Sequence, residues 1–167
     1  MTLGVKPEQA LRLRLMAFDV DGVMTDGRLY YGPDGEMLKT FSTLDGHGLK
    51  KLAASGVTLA IITGRNSAMV ARRARDLGIE HVIQGREDKG VALSALAQQL
   101  GLSAAEIGYM GDDEPDVPAL EWAGLGFAPA NAHAVARSAA GHVTEARGGE
   151  GAVREVCDSL LRLREGQ

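Results

Sequence analysis

The sequence contains little cysteine, few aromatic residues and no long apolar run. Cys157 is the single cysteine among 167 residues, which excludes an internal disulfide and favours a reducing compartment, so we expect a cytoplasmic protein. No apolar run approaches the roughly 18 residues of a membrane span and no charged-then-apolar leader is present, so we expect no membrane partner. The net charge of −4 argues against a nucleic-acid partner, because such proteins usually carry a basic surface.

The sequence does contain enough apolar material for one compact domain. Hydrophobic residues make up 45% of the chain, and its 167 residues match the usual size of a domain with its own core. Cys157 shares a helical apolar face with Val153, Val156 and Leu160, so we interpret it as a core residue. We therefore expect residues 1–167 to form a single domain.

Apolar runs of strand length alternate with segments of helical periodicity. This alternation predicts a mostly parallel sheet with helices on both faces, which is a three-layer, doubly wound, Rossmann-like α/β fold. After the first strand, residues 27–41 have the pattern of a β-hairpin around a turn at 32–35. Strands are predicted at 13–20, 57–62, 80–83, 107–110, 124–128 and 142–144, and helices at 45–54, 66–77, 88–100, 118–122, 133–138 and 150–163.

Two carboxylates, Asp19 and Asp21, end the first predicted strand. Side chains alternate faces along a strand, so the pair is expected to point the same way until the chain turns at Gly22. Two like charges this close are costly to bury unless a cation or a proton-transfer role compensates them. The pair therefore suggests a nucleophile beside an acid/base, with a hard divalent cation nearby.

Three further segments place polar residues after predicted strands. Thr63 and Gly64 follow an apolar run and offer a hydroxyl and free backbone N–H groups to an anion. Lys89 lies in the first turn of a helix that Asp88 is predicted to cap, where the helix dipole disfavours a cation unless an anion binds there. A carboxylate cluster begins at Asp112. Because ligands of open α/β sheets bind at the carboxyl edge of the strands, these segments predict one phosphate and Mg²⁺ site.

Taken together, four motifs resemble the signature motifs of the haloacid dehalogenase superfamily of phosphotransferases. They are Asp19-x-Asp21-Gly-Val, Thr63-Gly-Arg, Lys89 and Gly111-Asp-Asp-x-x-Asp116. The likeness runs from about residue 15 to about residue 160 and is similar in detail to the small branch without a cap domain that contains phosphatases of 3-deoxy-D-manno-octulosonate 8-phosphate. Segments 23–27, 45–48, 84–85 and 148–155 carry the resemblance to that branch. The resemblance implies the haloacid dehalogenase type of fold, with the hairpin as its only insertion.

The resemblance implies a role for each catalytic carboxylate. Asp19 would attack phosphorus and form an aspartyl-phosphate, and Asp21 would protonate the leaving sugar oxygen and then activate water. Mg²⁺ would bind the carboxylates of Asp19 and Asp112 and the main-chain carbonyl of Asp21.

The resemblance also implies the residues that hold the phosphoryl group. Thr63, Gly64 and Lys89 would bind its oxygens while charge shifts in the transition state. Asp113 and Asp116 are expected to support the metal ligands from behind, as ligand-orienting carboxylates commonly do.

The implied reaction is the hydrolysis of 3-deoxy-D-manno-octulosonate 8-phosphate in lipopolysaccharide precursor synthesis. The related phosphatases of nine-carbon, sialic-acid-like 9-phosphates carry Glu after the Thr-Gly turn, whereas this chain has Arg65, which could pair with a substrate carboxylate. A nine-carbon or other sugar phosphate is the alternative substrate. A non-enzymatic phospho-acceptor is a further alternative, but Asp21 argues against it because such domains lack an acid/base at this spacing.

The resemblance implies self-association, because no insertion is long enough to form a cap over the site. In the family, hairpins such as residues 27–41 assemble a homotetramer. The glycine-rich segment 148–151 would let the C-terminal tail reach a neighbouring site, with Arg154 as a contact to substrate. The alternative for Arg154 is a helical ion pair with Glu150.

Overall fold

The computed structural model describes residues 3–166. Its helices are α1 (Pro7–Arg12), α2 (Thr43–Ala54), α3 (Ala68–Leu77), α4 (Lys89–Leu100), α5 (Val117–Trp122), α6 (Ala134–Ala139) and α7 (Ala152–Glu165). Its strands are β1 (Leu15–Phe18), β2 (Tyr30–Gly32), β3 (Gly35–Leu38), β4 (Thr58–Ile62), β5 (His81–Ile83), β6 (Ile107–Met110), β7 (Leu125–Ala128) and β8 (His142–Val143). Two short 3₁₀ turns cover Ala104–Glu106 and Glu114–Asp116.

Six strands form one sheet in the order β5-β4-β1-β6-β7-β8, and each neighbouring pair is parallel. Alternate residues of β1 face opposite layers, since Met16 and Phe18 join the core with α1, α2, α3 and α7, whereas Leu15 and Ala17 join the core with α4, α5 and α6. The predicted three-layer α/β fold is confirmed. The short helix α1 was not predicted, because six residues carry too little periodicity to reveal a helix.

The hairpin forms a separate two-stranded sheet of β2 and β3. Gly32 pairs with Gly35 across the predicted turn, and β3 ends at Leu38, three residues earlier than Phe41. Neither this insertion nor the segment between Thr63 and Lys89, which forms α3 and β5, builds a cap domain. The carboxyl edge of the large sheet therefore has no cap from the described residues of its own chain.

The C-terminal helix α7 belongs to the core of its own chain. It packs on α2 and buries its apolar face, which includes Val153, Val156, Cys157 and Leu160. The interpretation of Cys157 as a core residue is thus confirmed. Among residues 3–166, none of the helices combines the length and the apolar character needed to span a membrane.

Candidate active site

A cavity of about 300 Å³ lies at the carboxyl ends of β1, β4 and β6. It gathers the polar segments that the sequence placed after separate strands, because the parallel order brings those strand ends together. Its lining includes Asp19, Asp21, Thr63, Gly64, Arg65, Lys89, Asp112, Asp113 and Asp116. Every predicted site residue except Arg154 therefore borders one cavity.

The chain turns sooner than expected at the first pair of carboxylates. Strand β1 ends at Phe18, and although the Asp19 N–H still donates to the Met110 carbonyl over 2.9 Å, a turn begins at Asp21. The expected alternation along the strand does not apply, since neither carboxylate lies in β1, although Asp19 and Asp21 both line the cavity. Gly22, at φ +88°, makes this turn, and a Cβ there would overlap the carboxylate of Asp112. A glycine at 22 thus lets Asp112 approach the first motif.

Lys89 is buried between two carboxylates. Its Nζ lies 2.9 Å from Asp19 Oδ2 and 2.8 Å from Asp116 Oδ1. Burial alone would lower the pKa of Lys89, but the two carboxylates outweigh it and raise the pKa above its ordinary value. The ammonium is therefore held in its charged form at the base of the cavity.

Asp88 does not cap α4 through its side chain, although it precedes the helix. Its carboxylate instead pairs with Arg86 through two contacts of 2.6 and 2.8 Å. The predicted side-chain cap is wrong because the planar guanidinium of a near neighbour offers a bidentate partner.

Asp116 is fully buried and joins three parts of the site. Its Oδ1 accepts hydrogen bonds from Lys89 and from the hydroxyl of Tyr109 at 2.6 Å, and its Oδ2 accepts from the backbone N–H groups of Asp112 and Asp113. The sequence prediction missed Tyr109, because its register on β6 looks like that of any core aromatic residue. With four donors around it, Asp116 fixes Lys89 and the loop that carries Asp112.

Asp113 has an exposed side chain with a local contact. Its Oδ1 accepts a hydrogen bond from the N–H of Glu114 at 2.8 Å, at the start of the 3₁₀ turn that ends at Asp116. Any support that Asp113 gives to the metal ligands is therefore transmitted through this turn.

The carboxylates of Asp19, Asp112 and Asp116 could hold a metal ion, since one oxygen of each lies within 4.8 Å of the others. Burial raises the pKa of Asp112 to about 7, and the charge of Asp116 adds to the effect. Burial, reinforced by Asp116, also raises the pKa of Asp19 well above its ordinary value. A divalent cation would relieve the repulsion between these carboxylates, and an all-oxygen donor set suits Mg²⁺. Asp116 already accepts two hydrogen bonds at each oxygen, whereas each oxygen of Asp19 has one contact, so the carboxylates of Asp19 and Asp112 fit a cation better.

Thr63 and Gly64 follow β4 and line the same cavity. Thr63 is buried. Its backbone N–H donates to the Ile83 carbonyl at 2.9 Å, which ties the turn to β5. A Cβ at Gly64 would overlap the carboxylate of Glu87. Glycine at 64 therefore leaves room for the Glu87 side chain beside the Thr63 turn.

Three hairpin residues that the sequence prediction missed, Tyr31, Glu36 and Lys39, contact Asp21 or Arg65. Lys39 Nζ lies 2.6 Å from Asp21 Oδ1 and 2.7 Å from Glu36 Oε1, and its side chain is 1% exposed. Arg65 lies at the rim, where its Nη2 donates to the hydroxyl of Tyr31 at 3.1 Å and lies 3.6 Å from Glu36. In the sequence, a charged residue among the apolar residues of a hairpin does not indicate contacts with Asp21 or Arg65.

Arg154 lies outside the cavity, on α7. Its Nε donates to Asp158 at 2.7 Å, one helical turn onward, and its backbone N–H donates to the buried Asp45. The alternative pairing with Glu150 is also wrong, since Glu150 faces Arg147 at 4.0 Å. Within one chain, Arg154 joins α7 to α2 and touches no residue of the site.

Within its own chain, the glycine-rich segment 148–151 lies against the loop of the first motif, and its reach to a neighbouring site stays a prediction. Gly149 N–H donates to the Val23 carbonyl at 3.0 Å, and a Cβ at Gly148 would overlap the backbone carbonyl of Gly22. The segment packs against the loop that carries the first motif of its own chain, because only glycine permits so close an approach.

Comparison with known proteins gives consistent matches. The haloacid dehalogenase-like hydrolase family model matches residues 81–156. The 3-deoxy-D-manno-octulosonate 8-phosphate phosphatase KdsC of Escherichia coli (strain K12) is 44% identical over 153 residues, which cover 92% of this chain and 81% of that protein.

Two solved structures are similar over nearly the whole chain. The 3-deoxy-D-manno-octulosonate 8-phosphate phosphatase from Moraxella catarrhalis, in complex with magnesium ion, phosphate ion and KDO, matches with a TM-score of 0.93 and 44% identity over 96% of this chain and 92% of that one. The enzyme of the same name from Yersinia pestis matches with a TM-score of 0.91 and 43% identity over 95% and 86% of the two chains.

Proposed function

Since this chain belongs to the haloacid dehalogenase-like hydrolases, we propose that it hydrolyses 3-deoxy-D-manno-octulosonate 8-phosphate to the free sugar acid and phosphate. It is a phosphoric monoester hydrolase that uses Mg²⁺ and acts in lipopolysaccharide precursor synthesis. The observation that carries the proposal is the cavity itself, where Asp19, Asp21, Lys89 and Asp112 meet. We further propose that residues 1–167 work as a single catalytic domain in the cytoplasm.

Asp19 is the proposed nucleophile. The Val20 N–H holds its Oδ1 at 2.7 Å and Lys89 holds its Oδ2 at 2.9 Å, so the carboxylate has a fixed orientation at the base of the cavity. One of its oxygens forms the bond to phosphorus while the bond from phosphorus to the sugar oxygen breaks, which gives an aspartyl-phosphate. A positioned carboxylate makes this step intramolecular once the ester has bound.

Asp21 is the proposed acid and base. It lines the same cavity and is only partly buried, so its carboxylate can exchange a proton with the substrate and with water. In the first step it gives a proton to the leaving sugar oxygen, and in the second it takes a proton from the water that cleaves the aspartyl-phosphate. Such proton transfer typically accelerates a reaction by about 10²–10⁴-fold.

The carboxylates of Asp19 and Asp112, with the main-chain carbonyl of Asp21, are the proposed ligands of Mg²⁺. When bound, the ion supplies positive charge that offsets the repulsion between the nucleophile and the phosphoryl oxygens. Asp116 orients Lys89 and the backbone beside Asp112, and Asp113 acts through the turn that it starts.

Thr63, Gly64 and Lys89 are the proposed binding groups for the phosphoryl oxygens. Thr63, Gly64 and Lys89 all line the cavity, so a hydroxyl, backbone N–H groups and an ammonium are available to an anion there. Groups already held in place can stabilise charge in the transition state without reorganisation.

Arg65 is the proposed contact to the carboxylate of the sugar acid. Its side chain is 41% exposed at the rim of the cavity, so it remains accessible to a substrate. A nine-carbon 9-phosphate also carries a carboxylate. The preference for the eight-carbon substrate rests on Arg65, which stands where the phosphatases of nine-carbon substrates carry Glu.

A homotetramer is the proposed working unit. Large apolar side chains of the hairpin are exposed, notably Tyr31 at 63% and Met37 at 68%, and a two-stranded hairpin is stable only when it packs on another surface. A second copy of the chain would cover these residues and shield the uncapped cavity. Light scattering should show a tetramer, whereas a fully active monomer at assay concentration would contradict the proposal.

The function is tested by phosphate release from a panel of phosphorylated sugars with and without a carboxylate. We expect the highest kcat/KM for 3-deoxy-D-manno-octulosonate 8-phosphate, no turnover in EDTA, and no turnover by a folded Asp19→Asn variant, because an amide cannot attack phosphorus. Substantial turnover by Asp19→Asn would exclude this nucleophile. A higher kcat/KM for a nine-carbon 9-phosphate would assign the alternative substrate.

A further inference from the structure

We propose that Lys39, anchored by Glu36, is a positioning residue that holds the carboxylate of Asp21 for proton transfer to the leaving sugar oxygen. The inference rests on the proposed function, in which Asp21 is the acid. Neither hairpin residue touches the reacting atoms. They would act only through the orientation of Asp21.

The burial of the Lys39 side chain is the first observation. Lysine side chains normally extend their charged end into water and are almost never fully buried unless paired. Here the side chain is 1% exposed, although it immediately follows strand β3, whose neighbouring residues Met37 and Leu38 are exposed. Desolvating an ammonium is costly, so an unpaired lysine would not adopt this conformation.

The two-sided contact of the ammonium is the second observation. Lys39 Nζ is 2.6 Å from Asp21 Oδ1 and 2.7 Å from Glu36 Oε1, and Glu36 is itself 88% shielded from solvent, with 12% of its side chain exposed. The contact to Asp21 is a charge-assisted hydrogen bond, which is stronger than a neutral one, and the contact to Glu36 is an ion pair. Glu36 therefore holds Lys39 from one side while Lys39 holds Asp21 from the other.

The contact distinguishes the two oxygens of Asp21. Oδ1 is occupied by Lys39, whereas the ion pair of Oδ2, to Arg65 Nε, is a loose 3.9 Å. Oδ2 is thus the oxygen left to exchange a proton inside the cavity. Asp21 begins a turn rather than lying in a strand, so its backbone alone does not define where its side chain points. A displacement of a reacting group by about 1 Å can cost about 10²-fold in rate.

The test compares two phosphate esters whose leaving groups differ in their need for a proton. An alcohol oxygen, as in the sugar phosphate, must be protonated as its bond to phosphorus breaks, whereas 4-nitrophenolate departs unprotonated. The parameter kcat/KM reports the steps up to that departure and excludes the later hydrolysis of the aspartyl-phosphate. For Lys39→Met we expect kcat/KM to fall about 30- to 100-fold with the sugar phosphate and less than about threefold with 4-nitrophenyl phosphate.

Further variants separate positioning from structural damage. Lys51→Met removes an exposed lysine on α2 with a 3.7 Å surface ion pair, and should leave both esters unaffected. Glu36→Gln, which nearly preserves shape, should give the same selective loss at about 5- to 10-fold, and it serves as the test if Lys39→Met does not fold. Adding Lys39→Met to Asp21→Asn should cause no further loss with the sugar phosphate, because the group that Lys39 positions is already gone.

The outcomes distinguish this inference from the proposed function. Equal losses with both esters, or a further loss in the Asp21→Asn background, would overturn the positioning role while leaving the phosphatase assignment intact. A wild-type protein that hydrolyses neither ester would instead contradict the proposed function. A selective loss with the sugar phosphate, absent in Lys51→Met, would establish Lys39 as the residue that orients the acid.

Discussion

Without Mg²⁺, the free energy of unfolding of this protein should fall as the pH rises from about 4 to about 7, because Asp112 loses its proton over this range. Burial and the charge of Asp116 raise the pKa of Asp112 from its ordinary value of 3.8 to about 7. The folded protein therefore holds this proton more tightly than the unfolded chain does. The resulting stability is fully present below about pH 4 and is lost as the pH rises through about 7.

The magnitude follows from the difference between the two pKa values. At about 1.4 kcal/mol for each pKa unit, a rise of about three units corresponds to about 4 kcal/mol lost between these pH values. Asp19 adds in the same direction, since its pKa is also raised by burial. Mg²⁺ binds the ionised carboxylates, and a concentration of about 100 times the Kd should return about 2.7 kcal/mol. The stabilisation by Mg²⁺ should thus be larger at about pH 8 than at about pH 5.

Urea unfolding followed by circular dichroism, in EDTA and in Mg²⁺, measures both effects at about pH 5, 6.5 and 8. Asp112→Asn should weaken the pH dependence and the response to Mg²⁺ together. Asp45→Asn provides the control for the Mg²⁺ response, because Asp45 is another buried carboxyl with a raised pKa but lies against the start of α7, outside the cavity; its loss should weaken the pH dependence and leave the effect of Mg²⁺ unchanged. A stability in EDTA that stays level or rises over this range, or an equal effect of Mg²⁺ at both extremes, would refute the reasoning.

Three substitutions test individual parts of the site. Asp21→Asn should lose about 10²-fold or more in turnover while calorimetry still detects Mg²⁺ binding, since the proposed ligand is the backbone carbonyl; a collapse of metal affinity would make the carboxylate a ligand. Arg65→Ala should raise KM for a keto-acid sugar phosphate about tenfold or more and leave a neutral sugar phosphate little changed, whereas equal effects would remove Arg65 as the carboxylate contact. Gly148→Ala should lower the free energy of unfolding by about 1–3 kcal/mol and reduce turnover, because the added Cβ meets the carbonyl of Gly22; unchanged urea unfolding would disprove that close packing.

The layered fold and most strand positions could be predicted because their signals are local. Strand β6 was predicted at the residues that it occupies, Ile107–Met110, and the other strands of the sheet overlap their predicted ranges. An apolar strand reveals itself through its own composition, and its parallel order follows from the helix that separates it from the next strand. The end of β1 was less predictable, since the turn after Phe18 depends on Gly22 and on its close approach to Asp112.

The candidate site was predictable to the extent that its residues follow strands. Asp19, Thr63 and Asp112 could be grouped without coordinates because parallel strands bring their carboxyl ends to one edge. Lys89 could be assigned to the same site. Its pairing with two buried carboxylates could not be predicted, because Asp116 lies 27 positions away and reaches Lys89 through tertiary packing. The contact of Arg154 with a neighbouring site stays a prediction, and within its own chain the arginine pairs with Asp158 rather than with Glu150.

The sequence by itself determined which residues can carry the chemistry and at which edge of the sheet they meet, because composition and strand–helix order are local properties. Only the tertiary structure decided the contacts that tune those residues. The hairpin brings Lys39 to Asp21 across 18 positions, Tyr109 reaches Asp116 from within β6, and Arg154 turns to Asp158. The first two contacts join side chains whose spacing has no periodicity, and they depend on burial and charge that exist only after the layers have packed. Arg154 and Asp158 lie one helical turn apart, but only the structure shows which partner the arginine takes.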